Sequence, residues 1–306
     1  MTGYALRKLL ALPVMLLAVS AMIFVCVRLL PGDPARMIAG PEASAEAVAR
    51  IHHQLGLDQP VGRQYVAFLS KAASGDLGTS IATRRPVAQE LAEHAPYTLA
   101  LGLAAYALAV LIALPGGVLA AAAPGGAWDR LFSGVSILCV SIASFWFGLM
   151  AMELFAVHLR WLPLMGADSP ASLVLPAVTL ALAPIGLIAR MTRASMLEVL
   201  AQDYIRTARA KGVGRVAVLL RHALRNALTP IVTIVGLNLG AVIGGAVVTE
   251  TVFSWPGLGQ LLVSAVRDRD YPVVQGVALV AVVSVVLLNL TAELAIAALN
   301  PRIRAA

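Results

Sequence analysis

Apolar residues are grouped along this chain in long runs, and shorter intervals between the runs hold most of the charged residues. Each run approaches or exceeds the roughly 20 apolar residues that an α-helix needs to cross a bilayer. The pattern predicts an all-α, polytopic membrane protein with six transmembrane helices, an outer helical loop and a loop on the cytoplasmic side. The six predicted spans are residues 9–27, 97–122, 131–157, 172–189, 229–249 and 273–299.

The N-terminal region, residues 1–30, is predicted to hold a cytoplasmic N-terminus and the first span. Arg7 and Lys8 precede the first apolar run, and positive charges beside a span favour the cytoplasmic side. Residues 18–20 loosely resemble a signal-peptide cleavage site, but the run continues past them, which favours an uncleaved anchor. Six crossings then bring the C-terminus back to the cytoplasm.

Residues 31–95 form a polar interval with frequent Pro and Gly. The pattern predicts amphipathic helices at about 42–55 and 61–74, ended by Gly56 and Gly75, and a third helix that begins at Pro86. The interval is too polar to span and is expected to cover the outer face. Two roles stay open for it: a docking surface for an external delivery protein, or a lid on the chain's own spans.

The remaining core domain, residues 96–306, contains one long cationic interval, from Arg190 to Arg225. Its Arg and Lys residues would each cost roughly 2.5–3.5 kcal/mol at the bilayer centre, so the interval is expected to stay in water. Asp203 opens a helix that Gly212 ends with a left-handed cap, and a second helix is predicted at about 216–228. Its predicted apolar side comprises Val216, Leu219, Leu220, Ala223 and Leu224.

We call residues 203–228 the cationic hairpin and residues 190–228 the cytoplasmic loop. Judged by charge alone, the hairpin either lies on anionic lipid headgroups or is a handle that a soluble partner moves.

The composition also indicates lipid as the solvent of this protein. The chain is 59% hydrophobic and 13% charged, whereas soluble domains are roughly a quarter charged. The net charge of +7 would suggest nucleic acid for a soluble protein, but here it fits positively charged cytoplasmic loops. Cys26 and Cys139 fall inside apolar runs and are interpreted as small apolar residues.

Glycines recur at intervals of four in the fifth run, at Gly236, Gly240 and Gly244. This spacing places them on one helical face, where a second helix can approach closely. The face serves either packing within the chain or a subunit interface or pore lining. Asn238 either faces a solute pathway or bonds to a neighbouring helix.

Three carboxylates, Glu153, Glu250 and Glu293, lie near the ends of predicted spans. We expect them to be solvated at the membrane interface, which weakens an ion or proton relay. The chain contains no G-x-x-x-x-G-K-[ST], H-E-x-x-H or G-x-S-x-G motif. Residues 212–217 match a loose dinucleotide fingerprint without the strand that it requires. No catalytic residue and no metal site is therefore predicted.

The hairpin segments DYIRTARAKG (203–212) and RHALRNA (221–227) resemble the inner loop of bacterial ABC-importer permeases of the dipeptide, oligopeptide and nickel group. The general importer pattern E-A-A-x-x-x-G-x9-I-x-L-P is matched at Ala208, Gly212 and Leu224. The chain departs from that pattern at Arg206, Thr207, His222 and Arg225. The resemblance extends over the whole chain through LLPGDP (29–34), GDLG (75–78), VTETVF (248–253) and NPR (300–302).

The resemblance implies a permease of the bacterial inner membrane that imports peptides or related small solutes. It implies four kinds of partner: a second homologous permease, two ATPase subunits, an extracytoplasmic substrate-binding protein and membrane lipid. It also implies that the partner ATPases bind ATP and Mg, with no cofactor in this chain. The alternative is a stand-alone channel or ion-coupled carrier, which would need no ATPase.

In that family the inner loop docks into a cleft of the ATPase. The resemblance therefore implies that the coupling loop comprises Asp203, Arg206, Thr207, Ala208, Arg209, Lys211, Gly212, Arg215 and His222.

Overall fold

The computed structural model describes residues 13–25, 34–39, 43–54, 56 and 58–299. Within these ranges every named element is helical, and the β pairing found there is one isolated bridge between Thr79 and Pro86. The all-α prediction is therefore confirmed. The predictions that lie outside the described residues concern Arg7, Lys8, Cys26, the turn before Pro34, the side chain of Glu293 and residues 300–306.

The helices before the core follow the sequence pattern closely. They are α1 (Pro13–Val25), α2 (Pro34–Ala39), α3 (Ala45–Gln54) and α4 (Val61–Ala73). Gly56 and Gly75 have φ of 64° and 82°, the left-handed conformation that was predicted after α3 and α4.

Nine further helices follow within the described range 58–299. They are α5 (Val87–Ala122), α6 (Ala127–Ser141), α7 (Ser144–Ala151), α8 (Val174–Leu200), α9 (Asp203–Ala210), α10 (Arg215–Ala217), α11 (Arg225–Val252), α12 (Leu258–Arg267) and α13 (Tyr271–Leu299). π-helical turns at Met152–His158 and Val218–Leu224 extend α7 and join α10 to α11, and a 3-10 turn at Pro170–Leu173 precedes α8.

The polar interval 31–95 packs on the chain's own helices at two places. The Tyr65 hydroxyl of α4 donates a hydrogen bond to the carbonyl oxygen of Leu17 in α1, at 3.0 Å. Farther along, the buried carboxylate of Asp270 accepts hydrogen bonds from Ser80 Oγ at 2.5 Å and from the Ala82 amide at 3.1 Å. Packing on the helices of the bundle is therefore one role of this interval.

Helix α5 merges two elements that the sequence analysis had separated. The helix that was predicted at Pro86 and the span 97–122 are one helix of 36 residues, with Pro96 and Pro115 inside it. At 1.5 Å per residue it measures about 54 Å, well beyond the ~30 Å hydrocarbon core. The helix therefore continues unbroken across the 95/96 boundary.

The predicted span 131–157 is a bent helix pair. Helix α6 meets α7 and its π-helical extension at 103°, so the pair is either a broken crossing or a re-entrant loop. Three contacts of the pair lie at successive positions along α8. Asp129 pairs with Arg193, the Ser136 carbonyl lies against Gly186, and Gly148 lies against Thr179. These contacts cover about 21 Å of α8, so α6 and α7 both pack on that helix.

The predicted count of six spans is not confirmed. Among the residues that the structure describes, four helices are long and apolar enough to cross a membrane, or five if the bent pair counts as one span. These four are Val87–Ala122, Pro170–Leu200, Arg215–Gly236 and Tyr271–Ala292. Helix α1 is apolar but falls below the spanning length within its described residues.

The second arm of the hairpin and the fifth span were predicted as separate helices, and this prediction is wrong. Helical structure runs without interruption from Arg215 to Val252. Likewise, α8 continues past Arg190 and Arg193 to Leu200. The charged residues mark where a lipid environment becomes costly, but they break no hydrogen bonds of the backbone, so the helices do not end there.

The packing of α5 against α8 forms the centre of the molecule. Small buried residues line both helices: Ala105, Ala109 and Ala113 of α5, and Ala177, Ala181 and Ala189 of α8. Small side chains let two helix backbones approach closely. On the other side of α8, Gly186 accommodates the backbone of α6.

We predict that Gly186→Ala destabilises the protein by about 1–3 kcal/mol, because overpacking forces α6 and α8 apart. The added methyl carbon would lie 2.5 Å from Val140 Cγ2 and closer still to the Ser136 carbonyl oxygen. Thermal unfolding of the purified chain in detergent measures the change. The matched control is Gly134→Ala in α6, where nothing lies within 4 Å of the new carbon. Equal melting temperatures for the two variants would contradict the close α6–α8 contact.

Candidate functional site: the cationic hairpin

The first arm of the cationic hairpin is α9, and a tight turn ends it at Gly212. Gly212 has φ of 80°. Its amide donates a hydrogen bond to the Arg209 carbonyl at 3.0 Å, and the Val213 amide donates one to the Ala208 carbonyl at 3.2 Å. These two bonds form a Schellman motif, which satisfies the last carbonyls of the helix. The predicted left-handed cap is confirmed.

The inner side of the hairpin packs on the rest of the chain. Ile205 and Ala208 of α9 are buried. Ile205 belongs to an apolar cluster formed by α5, α8 and the second arm, with Val118, Ala121, Met196, Val218, Ala223, Ala227 and Ile231. Of the predicted coupling residues, Ala208 therefore faces the chain's own core.

The outer side of α9 presents charge to solvent. Asp203, Arg206, Thr207, Arg209 and Lys211 are all exposed. Arg206 Nη1 lies 3.3 Å from Asp203 Oδ1, and an exposed pair at this spacing contributes little to stability. The cationic side chains are therefore available to a partner.

Two polar contacts hold the second arm in place. Arg215 Nη2 donates a hydrogen bond to the carbonyl oxygen of Ala122, the last residue of α5, at 2.6 Å. Asn226 Nδ2 donates one to the Tyr204 hydroxyl at 2.8 Å, which joins the two arms of the hairpin. His222 is half-buried, and its carbonyl oxygen accepts a second hydrogen bond from Asn226. Arg215 thus acts inside the chain, and no local sequence signal indicated either contact.

The predicted apolar side of the second arm is wrong at two positions. Val216 is 68% exposed and Leu220 is 55% exposed, whereas Val218 and Ala223 are buried. The π-helical turn Val218–Leu224 explains the difference. In such a turn, residues on the same face recur five positions apart instead of three or four, as the buried Val218 and Ala223 do. The result is an exposed surface in which two large apolar side chains lie beside arginines.

The glycines of the fifth run have different surroundings. A Cβ at Gly240 would lie 2.8 Å from Val285 Cγ1 of α13, whereas nothing lies within 4 Å of the same position at Gly244. Gly236 is buried. Gly240 thus serves packing within the chain, and Gly244 is free for another role. Asn238 Nδ2 donates to the Ile234 carbonyl of its own helix at 2.9 Å, and its pathway role stays a prediction.

The prediction that Glu250 is solvated at the interface is wrong. Its side chain is fully buried. Glu250 Oε1 accepts a hydrogen bond from Thr98 Oγ1 at 2.6 Å, and Oε2 accepts bonds from the amides of Gly259 at 2.6 Å and Gln260 at 3.2 Å. The first turn of α12 supplies those amides, which otherwise lack partners. Glu153, in contrast, is exposed and lies 3.3 Å from His158 Nδ1.

Comparisons with known proteins identify the family to which this chain is similar. Residues 113–305 match the family model "Binding-protein-dependent transport system inner membrane component", and residues 1–102 match its N-terminal companion. The chain is 45% identical over 304 residues to the glutathione transport system permease protein GsiC of Escherichia coli (strain K12), covering 99% of both chains. It is 46% identical over 305 residues to the protein of the same name from Salmonella paratyphi A, again with 99% coverage of each.

A solved structure of the MetNI methionine ABC transporter, in an inward-facing conformation, has the same fold. Its TM-score is 0.60 at 22% identity, and the match covers 69% of this chain and 97% of that one. Within the described residues, no group of three or more His, Cys, Asp or Glu is arranged to hold a metal ion.

We predict that Glu250→Ala destabilises the protein by about 3 kcal/mol or more, because the Thr98 hydroxyl hydrogen and the amides of Gly259 and Gln260 lose their acceptor. Glu250→Gln, which keeps one acceptor oxygen, is expected to have a smaller effect. Thermal unfolding of the purified chain in detergent compares both with Glu153→Ala, which removes an exposed carboxylate. A melting temperature for Glu250→Ala equal to that of Glu153→Ala would contradict the assigned contacts.

Proposed function

Because this chain belongs to the family of binding-protein-dependent transport system inner membrane components, we propose that it forms one half of a solute pathway. It is the permease component of a binding-protein-dependent ABC importer. In our proposal a second homologous permease supplies the other half of the pathway, and both termini lie in the cytoplasm. The interval 31–95 lies outside, the core permease domain is 96–306, and its loop 190–228 meets the ATPases.

The cationic hairpin is proposed to be the docking element for the ATPase subunits. The observation that carries this proposal is its two-sided construction: the inner side is locked to the chain by Ile205, while the outer side exposes cations beside Val216 and Leu220. Such a surface fits a cleft with an apolar floor and an acidic rim. ATP and Mg²⁺ bind to the partner ATPases, and this chain contributes no catalytic residue.

The helices on either side of the hairpin would carry its movement into the membrane. Two residues separate the end of α8 at Leu200 from Asp203, and the second arm continues as α11 without a break. A shift of the hairpin therefore moves two central helices directly. To shift the equilibrium between two conformations of the transporter from 1:99 to 99:1, nucleotide binding must favour one conformation over the other by about 5.5 kcal/mol.

We propose that the imported solute is a short peptide, with glutathione as the first candidate. The support is the identity of 45% over nearly the whole chain to a glutathione transport permease. The solute would be delivered by an extracytoplasmic substrate-binding protein, which selects it. The alternative of a stand-alone channel or ion-coupled carrier has no support from the family, and Glu250 is not free to act as a relay.

We predict that Gly212→Val leaves the protein inserted and assembled but abolishes the stimulated ATPase activity of the reconstituted complex. A residue with a side chain at φ of 80° is strained by roughly 1–2 kcal/mol, which would displace the tip of the hairpin. Gly214→Val is the matched control, because both glycines have open space around Cβ but Gly214 has φ of −62°. Normal stimulation in Gly212→Val would count against the coupling role.

We predict ATP-dependent uptake of radiolabelled glutathione by proteoliposomes that contain both permeases and the ATPases, when the binding protein is added to the assay. Uptake should require the binding protein and stop when ATP is omitted. Calorimetry with the purified binding protein tests the solute independently. If the binding protein binds a nickel chelate or an unrelated amino acid but not glutathione, the solute assignment is wrong while the importer assignment stands.

A further inference from the structure

The helix ends that flank the turn between α5 and α6, residues 123–126, contact the cytoplasmic loop at two places. On one side, the Ala122 carbonyl immediately before the turn accepts the hydrogen bond from Arg215, at the start of the second arm. On the other side, Asp129, the third residue of α6, binds Arg193 of α8, about two helical turns before that helix ends. The two helix ends that flank this turn are therefore bonded to α8, before the hairpin, and to the second arm of the hairpin.

Asp129 is the centre of the second contact, which we call the clamp. Arg193 binds it through two parallel hydrogen bonds, Nε to Oδ1 at 2.5 Å and Nη2 to Oδ2 at 2.8 Å. The Gly125 amide donates to Oδ2 at 2.8 Å, and Ser133 Oγ donates to Oδ1 at 3.3 Å. Four donors saturate the acceptor sites of a carboxylate, so the turn, α6 and α8 are fixed to one group.

The geometry of this pair is specific to its two side chains. Asp129 is 4% exposed, while Arg193 retains 33% of its side-chain exposure. A planar guanidinium matches both carboxylate oxygens at once, which a lysine ammonium does not. Removing either partner leaves the other without its charge complement in a mostly buried place, which is costly for the aspartate above all.

The N-terminal half of α5 is fixed in a comparable way, about three helical turns inside the helix. Thr98 binds Glu250, and its hydroxyl oxygen also accepts a hydrogen bond from the Leu258 amide at 2.8 Å. Trp255 Nε1 donates to the Tyr97 carbonyl at 3.0 Å. A displacement of the turn before Asp129 would therefore act on a helix whose N-terminal half is bonded to α11, to the start of α12 and to Trp255 between them.

We propose that Asp129 and Arg193 are positioning residues of the transport cycle. They hold α5 and α6 to α8, so that these helices move together with the hairpin when nucleotide binding displaces it. This inference rests on the proposed coupling role of the hairpin. It adds a second line of transmission beside the continuous helices α8 and α11.

The test uses the assembled transporter in nanodiscs, with ATP hydrolysis measured in the absence and presence of the solute-loaded binding protein. For Asp129→Asn we expect the stimulation to fall about tenfold, an ordinary size for energetic coupling between sites, while basal hydrolysis and the amount of assembled complex stay unchanged. The double variant Asp129→Asn with Arg193→Gln should be no worse than the single variants, because the two side chains act as one unit. Arg193→Lys, which keeps the charge but loses the paired hydrogen bonds, should show an intermediate loss.

The matched control is Arg130→Gln, because Arg130 is the neighbour of Asp129 in α6 but is exposed, and this variant should retain full stimulation. Unchanged stimulation in Asp129→Asn overturns the inference. So does a parallel fall of basal hydrolysis, stimulated hydrolysis and assembled complex in both Asp129→Asn and Arg193→Lys, which is the result for a purely structural clamp. Gly212→Val separates the two levels: if it abolishes stimulation while the clamp variants do not, only the clamp inference fails. If it too is without effect, the coupling role of the hairpin fails.

Discussion

A polar group that is buried among membrane helices has no water to bind, so it must find a partner inside the chain. This constraint sets the connections of the present fold. Glu250 is satisfied by Thr98 and by the first amides of α12, and Asp270 by the segment around Ser80. At the other end of the bundle, Asp129 is satisfied by Arg193. Each pairing joins elements that are far apart in sequence, and together they fix the ends of the helices.

Between these polar contacts, small residues hold the middle of the bundle. The alanines of α5 and α8 let their backbones approach closely, and Gly186 does the same for α6. Dispersion and close fit act at the centre, where the helices are apolar, and hydrogen bonds act at the ends. This division suits an importer permease, because a bundle with strongly bonded ends can transmit a displacement without losing its packing.

The hairpin combines stability with availability to a partner. Its inner side is part of an apolar cluster, so its position relative to α5 and α8 is defined. Its outer side keeps arginines, a lysine and two large apolar side chains in solvent. A docking element needs both properties, since a loosely attached loop would absorb the movement of a partner instead of passing it on.

The sequence by itself determined the helical class, the family, the hairpin and the left-handed cap at Gly212, because hydropathy, charge and glycine position are local signals. It did not predict where helices end, since the charges at Arg193 and Arg225 limit the lipid-embedded length without breaking hydrogen bonds. It also missed the burial of Glu250 and the partner of Asp129. Only the tertiary structure decided these, because a buried carboxylate is stabilised by donors that folding brings from distant segments, and no local pattern records which donors those are.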